Sequence, residues 1–523
     1  VATRVAFLMF LACLPVALTA YPPIFDYPNH VSRAHVLATM DGGSVFADWF
    51  ERASYLIPNV STDLALVGLT HLVGAEAAGR VVLLVIVSAT LSGALALGRT
   101  VTGRLEPWPA FVAIFLYNEM LHWGFLNYLL GLAGLLWGVT AWVWLGRRSR
   151  ALQLLTAAVL AMLLLFCHLV AFGLFAVAVA AYEITDIALD PAMKPLEAAR
   201  RRVAKRLALS ASVFLPALAH HVALNAGGLP AAPLFNYHPF EKISPFTRLL
   251  SSGAPVTDAA VLIATLAVLG VLWRRGTIRV EPRLGAIAAA FAACLLVLPY
   301  SLMHSFFVDN RIATAVAFLA LAGIQTRGGP AADRVGWAAV FVLASARTAL
   351  VVLTWTAADR EIKDMIAGLD QLPTGGLVIS ATAAPFEYGT GWFYTRTINP
   401  PHEHTASWAT VRRDAIVPAM FAKAGQNPVV FSPPSAMLKA ISLGPIHRTS
   451  SSAGQRALLF RAAKVRAELD QAGLPGQSLY VAAFGTTCKE WPSGLPLRPA
   501  VCGGAYSIVE VTRPRQGRSP VQP

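Results

Sequence analysis

The residues able to do chemistry are unevenly placed. Twelve histidines stand at 30, 35, 71, 122, 168, 220, 221, 238, 304, 402, 404 and 447. On the span assignment below, every one falls in an outer loop, at the outer end of an apolar run, or in the C-terminal segment. Long outer segments explain some of these, but not His122, His168, His220, His221 and His304, which sit at span ends. Ionisable groups at membrane depth cost several kcal/mol unless paired or hydrated. Their clustering points to a polar cavity opening outward, against the alternative of amphipathic rings anchoring span ends at the interface.

Asp26 is the first carboxylate on that side, within Tyr21-Pro22-Pro23-Ile24-Phe25-Asp26-Tyr27-Pro28-Asn29-His30. Prolines on both sides restrict the backbone and fix its direction. Its residue type suits a general base and equally a helix-start acid near the dipole of 28–40. His30 follows one turn later. Glu119, His122 and Asn127 occupy one outer turn, and His304, Asp309 and Arg311 another. Arg311 presents a planar fork that matches anionic oxygens; a pair with Asp309 or a lipid headgroup would occupy it equally well. His402-Glu403-His404 could ligate a metal, but HxH alone is weak and reads first as a surface loop. The sequence has no GxxxxGK[ST] loop, no GxGxxG and no DxD.

These residues are positioned by apolar runs. The 523 residues are 56% hydrophobic and 13% charged, about half the charge of a soluble domain. The net charge of +14 therefore reads as loop charge, not as a nucleic-acid surface. Eleven candidate spans stand at 5–20, 80–98, 108–121, 124–145, 151–167, 169–184, 207–224, 256–273, 284–303, 312–326 and 335–355. The run 151–184 reads as two spans meeting at His168. One set of loops holds most Lys and Arg: Arg99 and Arg104, Arg147 to Arg150, Lys194 to Arg206, Arg274 to Arg283, Arg327 and Arg334. The other holds only Arg33, Arg52, Arg80, Lys242, Arg248 and Arg311. The richer set is cytoplasmic, which puts the N-terminus inside and residues 357–523 outside. The opening run, with Leu18-Thr19-Ala20 at its end, reads as an uncleaved span in preference to a signal peptide.

The chain thus divides into a transmembrane domain, 1–356, including a long first outer loop at 21–79, and an extracytoplasmic α/β domain, 357–523. In that loop, a helix is expected from Pro28, an interfacial helix over 44–56 from Val45, Phe46, Trp49 and Phe50, and a third helix opening at Ser61 or Thr62. Strands are expected at Gly376–Ser380, Pro428–Ser432, Ser478–Phe484 and Ala505–Val511, and an amphipathic helix over 454–472. The tail after Arg513 has a disordered composition. Cys488 and Cys502, in an oxidising compartment, are expected to pair.

First span, adjacent Asp26, long outer loop, further spans and an outer C-terminal domain together resemble the GT-C superfamily of membrane glycosyltransferases. The stretch Asp-Tyr-Pro-Asn-His-Val-Ser-Arg-Ala, 26–34, is similar to the opening of bacterial members. The resemblance implies a multi-pass inner-membrane enzyme that moves a sugar from a polyprenyl-phosphate-linked donor, with membrane lipid as its other partner. It implies Asp26 as catalytic residue. His30, Glu119, His122, Asn127, His168, His304, Asp309 and Arg311 are the candidate substrate-binding residues. Cationic or metal groups would meet the departing phosphate; no cofactor is fixed, and a divalent metal stays open. Many members carry a second acidic residue beside the first, where this chain has Asp26 alone. The competing readings are a transporter or flippase of a lipid-linked or anionic substrate, and a non-catalytic envelope assembly protein.

Overall fold

A computed structural model describes Ala2 to Thr512, apart from 42, 194–195, 225–236, 238, 240–241, 252–253, 303–305, 384–401, 424, 433–434, 436–437, 439–446, 450, 472–476 and 494–495. His238, His304 and the tail from Arg513 lie outside the described residues.

The chain is a polytopic, mostly α-helical membrane protein with a C-terminal mixed sheet. Six described helices are long and apolar enough to span: Ala75–Thr102, Leu126–Gly146, Arg150–Cys167, Leu169–Leu189, Pro255–Arg274 and Gly329–Leu369. Ala199–Ser212 and Leu215–Leu224 make a seventh if the pair, bent by 44°, is one crossing. Four of the eleven expected spans are therefore not full-length helices. Ala2–Leu18, Pro282–Val297 and Val308–Ala322 are shorter. The stretch 108–121 breaks into a 3-10 turn, a four-residue helix and the start of Glu119–Trp123. It lies beside Val308–Ala322, from the Trp108 indole bonded to Thr326 Oγ1 at one end to Glu119 bonded to Asn310 at the other. Surrounded by protein, its backbone does not need a continuous helix to be satisfied.

The run 151–184 is two helices that meet at His168. His168 is extended and its Nδ1 accepts from Val170 N, so a side chain replaces the lost backbone bonds at the break. Arg347, inside the Gly329–Leu369 helix, is buried. It pairs with Asp258 and donates to the Tyr117 carbonyl at 2.6 Å.

That helix runs unbroken through residue 356 for 41 residues, about 61 Å at 1.5 Å per residue. It carries the bundle into the C-terminal domain. There a five-stranded sheet runs in the order His447–Arg448, Leu377–Thr382, Leu479–Phe484, Tyr506–Val511, Leu497–Cys502. The first two pairings are parallel and the last two antiparallel. The four expected strands are present. His447–Arg448 and Leu497–Cys502 were not anticipated, the latter because Pro499 interrupts its apolar run. Ser452–Gln471 buries Leu458, Leu459, Ala462, Val465 and Leu469 beneath the sheet. The sulfurs of Cys488 and Cys502 are bonded, with Cα atoms 5.6 Å apart.

The stretch 44–56 is not a membrane-surface helix. It forms a 3-10 turn and a strand, Phe50–Arg52, paired antiparallel with Val429–Phe431. Phe46, Trp49 and Phe50 are buried in the same core as Ile379, Met420 and Val481. Their aromatic side finds a protein face, so the first loop and the C-terminal domain share one core.

Candidate active site

Asp26 sits where the 21–79 segment, the 118–127 turn and the C-terminal domain meet. Its position follows from backbone bonds. Phe25 N donates to the His122 carbonyl (2.8 Å) and Asp26 N to the Trp123 carbonyl (3.1 Å). Pro28 then opens the Tyr27–Thr39 helix, and Asp26 is its N-cap residue, but the carboxylate makes no capping bond. The helix-start role therefore does not use it. Oδ1 is buried without a hydrogen-bond partner, and His404 Nε2 stands 3.5 Å away, beyond good hydrogen-bond range. Burial pushes the Asp26 carboxyl up to about 8; Arg33 and Arg311 pull against that shift and Glu403 adds to it.

Gly124 allows this approach. It caps the Glu119–Trp123 helix with φ +83°, and a Cβ there would stand 2.9 Å from Asp26 Cβ and N. A left-handed conformation costs other residues roughly 1–2 kcal/mol. Gly124→Ala is therefore expected to lower thermal stability by about that much. It should also lower turnover about tenfold, by displacing Asp26 a fraction of an ångström. Unchanged turnover per folded molecule would show that this contact does not position the carboxylate.

Below Asp26 runs a buried relay. Arg33 Nε donates to Asp63 Oδ1 (2.7 Å), and its NH2 donates to His30 Nδ1 (2.9 Å). His30 Nε2 then donates to the Gly124 carbonyl (3.1 Å). Arg33 can only donate, so Nδ1 is the acceptor and His30 is neutral with its proton on Nε2. Burial and the Arg33 charge hold its pKa down to about 3. His30 lies in the scaffold under the site.

The other expected residues divide similarly. Glu119 accepts from Arg248 (3.1 Å) and Asn310 (2.7 Å). His122 Nδ1 donates to the Asn118 carbonyl and Nε2 accepts from the Trp355 indole. Asn127 Oδ1 takes the Thr62 N–H, supplying from another helix the cap expected of Ser61 or Thr62, and its amide donates to the Asn59 carbonyl. Asp309 pairs with Lys242 at 3.2 Å, not with Arg311. His168 sits at its helix break with its ring edge-on to Tyr128. These side chains tie segments together.

Arg311 belongs with Asp26. It is buried, with its guanidinium 4.4 Å from the Phe125 ring centre. A continuous aromatic wall joins the two: His404 on Phe25 at 4.7 Å, Phe25 on Trp123 at 5.1 Å, Trp123 on Phe307 at 4.8 Å, and Phe307 on Phe125 at 5.8 Å. Such faces suit the apolar side of a sugar ring or an isoprenoid chain. Phe25 and Phe307 flank Asp26 and Asp309 in the sequence, but no spacing signalled that they meet.

His402-Glu403-His404 is not a surface loop: all three are buried. His402 stacks on Phe484 and approaches Glu361 at 3.1 Å, whereas His404 points to Asp26. Burial holds His404 down to about 3, so it stands neutral beside the carboxyl. Among the described residues no three His, Cys, Asp or Glu side chains converge as metal ligands. Asp26 with His404 is a small donor set for a cation that takes six oxygen ligands.

No family model and no curated protein matches the chain. Among solved structures it is similar to ArnT from Cupriavidus metallidurans bound to undecaprenyl phosphate. The TM-score is 0.56 at 10% identity, covering 98% of this chain and 99% of that one. The apo state of the same protein gives 0.52 at 11% identity, with the same coverage. At these identities the likeness is one of fold alone.

Proposed function

We propose that this protein is a membrane glycosyltransferase that moves a sugar from a polyprenyl-phosphate-linked donor to an acceptor hydroxyl on the outer face. The observation that carries the reading is the contrast among carboxylates. Asp63, Glu119 and Asp309 are each bonded to a cation. Asp26 alone of these four has no Lys or Arg bonded to it among the described residues, and its Oδ1 is buried without a hydrogen-bond partner, where the 21–79 segment, the 118–127 turn and the C-terminal domain meet. The ArnT likeness adds support, since that protein binds undecaprenyl phosphate.

In the proposed reaction the acceptor hydroxyl gives its proton to Asp26 as its oxygen forms a bond to the sugar C1. The bond from C1 to the phosphate oxygen breaks, and polyprenyl phosphate leaves with the electron pair. Arg311 meets the charge that develops on that oxygen. The aromatic wall between Phe25 and Phe125 holds the sugar and first isoprene units. His404, neutral, donates no charge to Asp26 and so does not lower its basicity.

The test is transfer of labelled sugar from a synthetic polyprenyl-phosphate donor by the purified protein in liposomes. No transfer to any lipid or glycan acceptor, together with no binding of polyprenyl phosphate, would refute the reading. Arg311→Lys keeps the charge but loses the planar fork and its stacking on Phe125. It is expected to weaken donor binding about tenfold, or ~1.4 kcal/mol, with thermal stability little changed. Equal binding by wild type and variant would remove Arg311 from the phosphate.

A further inference from the structure

The charged end of the bundle opposite Asp26 holds a cavity of about 580 Å³, within the range of about 300–1,000 Å³ typical of ligand pockets. It lies among the Leu126–Gly146, Arg150–Cys167, Leu169–Leu189 and Leu196–Ser212 helices. Its wall carries six cations, Arg147, Arg150, Arg202, Lys205, Arg206 and Arg283, and two carboxylates, Glu183 and Asp186. Both carboxylates are spoken for. Glu183 takes Arg150 and Arg206, and Asp186 takes Arg206 and Arg283. These pairs make a rigid floor. Arg147 and Arg202 reach only backbone carbonyls, of Thr100 and Ala192, and Lys205 has no carboxylate partner among the described residues. Three cations therefore face one concavity without a counter-charge from the described protein.

We propose that this cavity binds a phosphate-bearing anion, and that its source is the headgroup of an anionic phospholipid in the cytoplasmic leaflet. Three uncompensated cations around one pocket repel each other, and a phosphate relieves this while accepting charge-assisted hydrogen bonds. Leu209 lines the pocket and is exposed, and Ile184, outside the lining but next to Glu183 on the same helix, is exposed as well. The Arg150–Cys167 helix, whose first turn lines the cavity, exposes Leu155, Val159 and Leu163 further along. Acyl chains leaving a headgroup in the pocket have that surface to lie on, which a soluble phosphate would not use. Basic pockets between spanning helices on the cytoplasmic side select such headgroups. The site is independent of Asp26 and of the transfer reaction.

The test uses the full-length protein in uncharged detergent, with thermal unfolding as readout. Phosphatidylglycerol, phosphatidylcholine and inorganic pyrophosphate are added separately. Ligand that binds the folded state raises the midpoint. A rise of roughly 2–4 °C with phosphatidylglycerol over phosphatidylcholine is expected. It should be lost in Arg147→Gln/Arg202→Gln/Lys205→Gln and kept in Arg274→Gln/Arg275→Gln/Arg279→Gln, which removes equal charge from another loop. An equal rise with millimolar pyrophosphate, lost in the same variant, would support the anion site but reassign its source to a soluble phosphate. No rise with any anion in the wild type overturns the proposal, as does a rise that survives in the first variant or disappears in both. If the triple variant does not fold, Arg202→Gln/Lys205→Gln, both solvent-exposed, replaces it.

Discussion

Asp26→Asn is expected to lower sugar transfer roughly 10²–10⁴-fold while donor binding and the fold stay intact. The amide keeps the shape but cannot take the acceptor proton, and no capping bond is lost because the carboxylate makes none. The pH dependence separates this from a structural effect. Burial raises the Asp26 carboxyl to about 8, so wild-type turnover should climb as pH rises toward 8, as the base is freed. The residual activity of Asp26→Asn should lack that limb. Stability should move the other way. A carboxyl with its folded pKa above its unfolded one favours folding most at pH values below the ordinary carboxylate range. That contribution is lost as pH rises through about 8. Asp26→Asn, uncharged throughout, should flatten this fall. The measurements are transfer from a lipid-linked donor between pH 5 and 9 and unfolding midpoints over the same range. Near-wild-type transfer by the variant, or a pH limb that survives in it, would rule out Asp26 as the base.

The placement of Asp26 was legible because its signal is local: an acid between prolines just after an apolar run. The same holds for the break at His168, where run length demanded two helices, and for four strands of the outer domain. What was illegible depends on partners distant in sequence. His404 reaches Asp26 across 378 residues, and its HxH setting pointed to surface or metal. The 44–56 aromatics show that a helix-like apolar pattern cannot distinguish a lipid face from a protein face. The sheet that covers them lies more than 300 residues away. The spacing of Glu119, His122 and Asn127 made them resemble binding residues. Each also makes a bond that closes the scaffold, to Asn310, Trp355 and Thr62. Buried polar groups must be satisfied, so polar clustering at span ends marks such closures as readily as a ligand. Hydropathy also does not show where a run breaks: 108–121 is apolar enough to span and yet is held by its neighbours in broken form.

Arg33 shows how far a scaffold charge can act on the site. Arg33 and Asp63 are both fully buried, 1% and 0% exposed, and bonded to each other. Removing one partner of such a pair leaves an uncompensated buried charge, at about 3–5 kcal/mol. Arg33→Met should therefore lower stability by that amount, and Asp63→Leu similarly. Arg33→Met/Asp63→Leu removes both charges and should recover most of the loss, because an apolar pair of similar volume is often no less stable. Function should not recover in parallel. Arg33 is the largest influence holding the Asp26 carboxyl down against burial, and it also fixes the His30 tautomer beneath Gly124. In the double variant the Asp26 carboxyl should rise further, and the rising limb of turnover should move to higher pH. Unfolding free energies for the two single variants and the double, with pH profiles for those that fold, decide the matter. If stability recovers and the limb stays in place, Arg33 is a structural cation only. If the double variant is as unstable as either single one, the bond from Arg33 to His30 matters as much to the fold as the ion pair. A recovered fold with a shifted limb would make Arg33 the positioning residue that sets the basicity of Asp26.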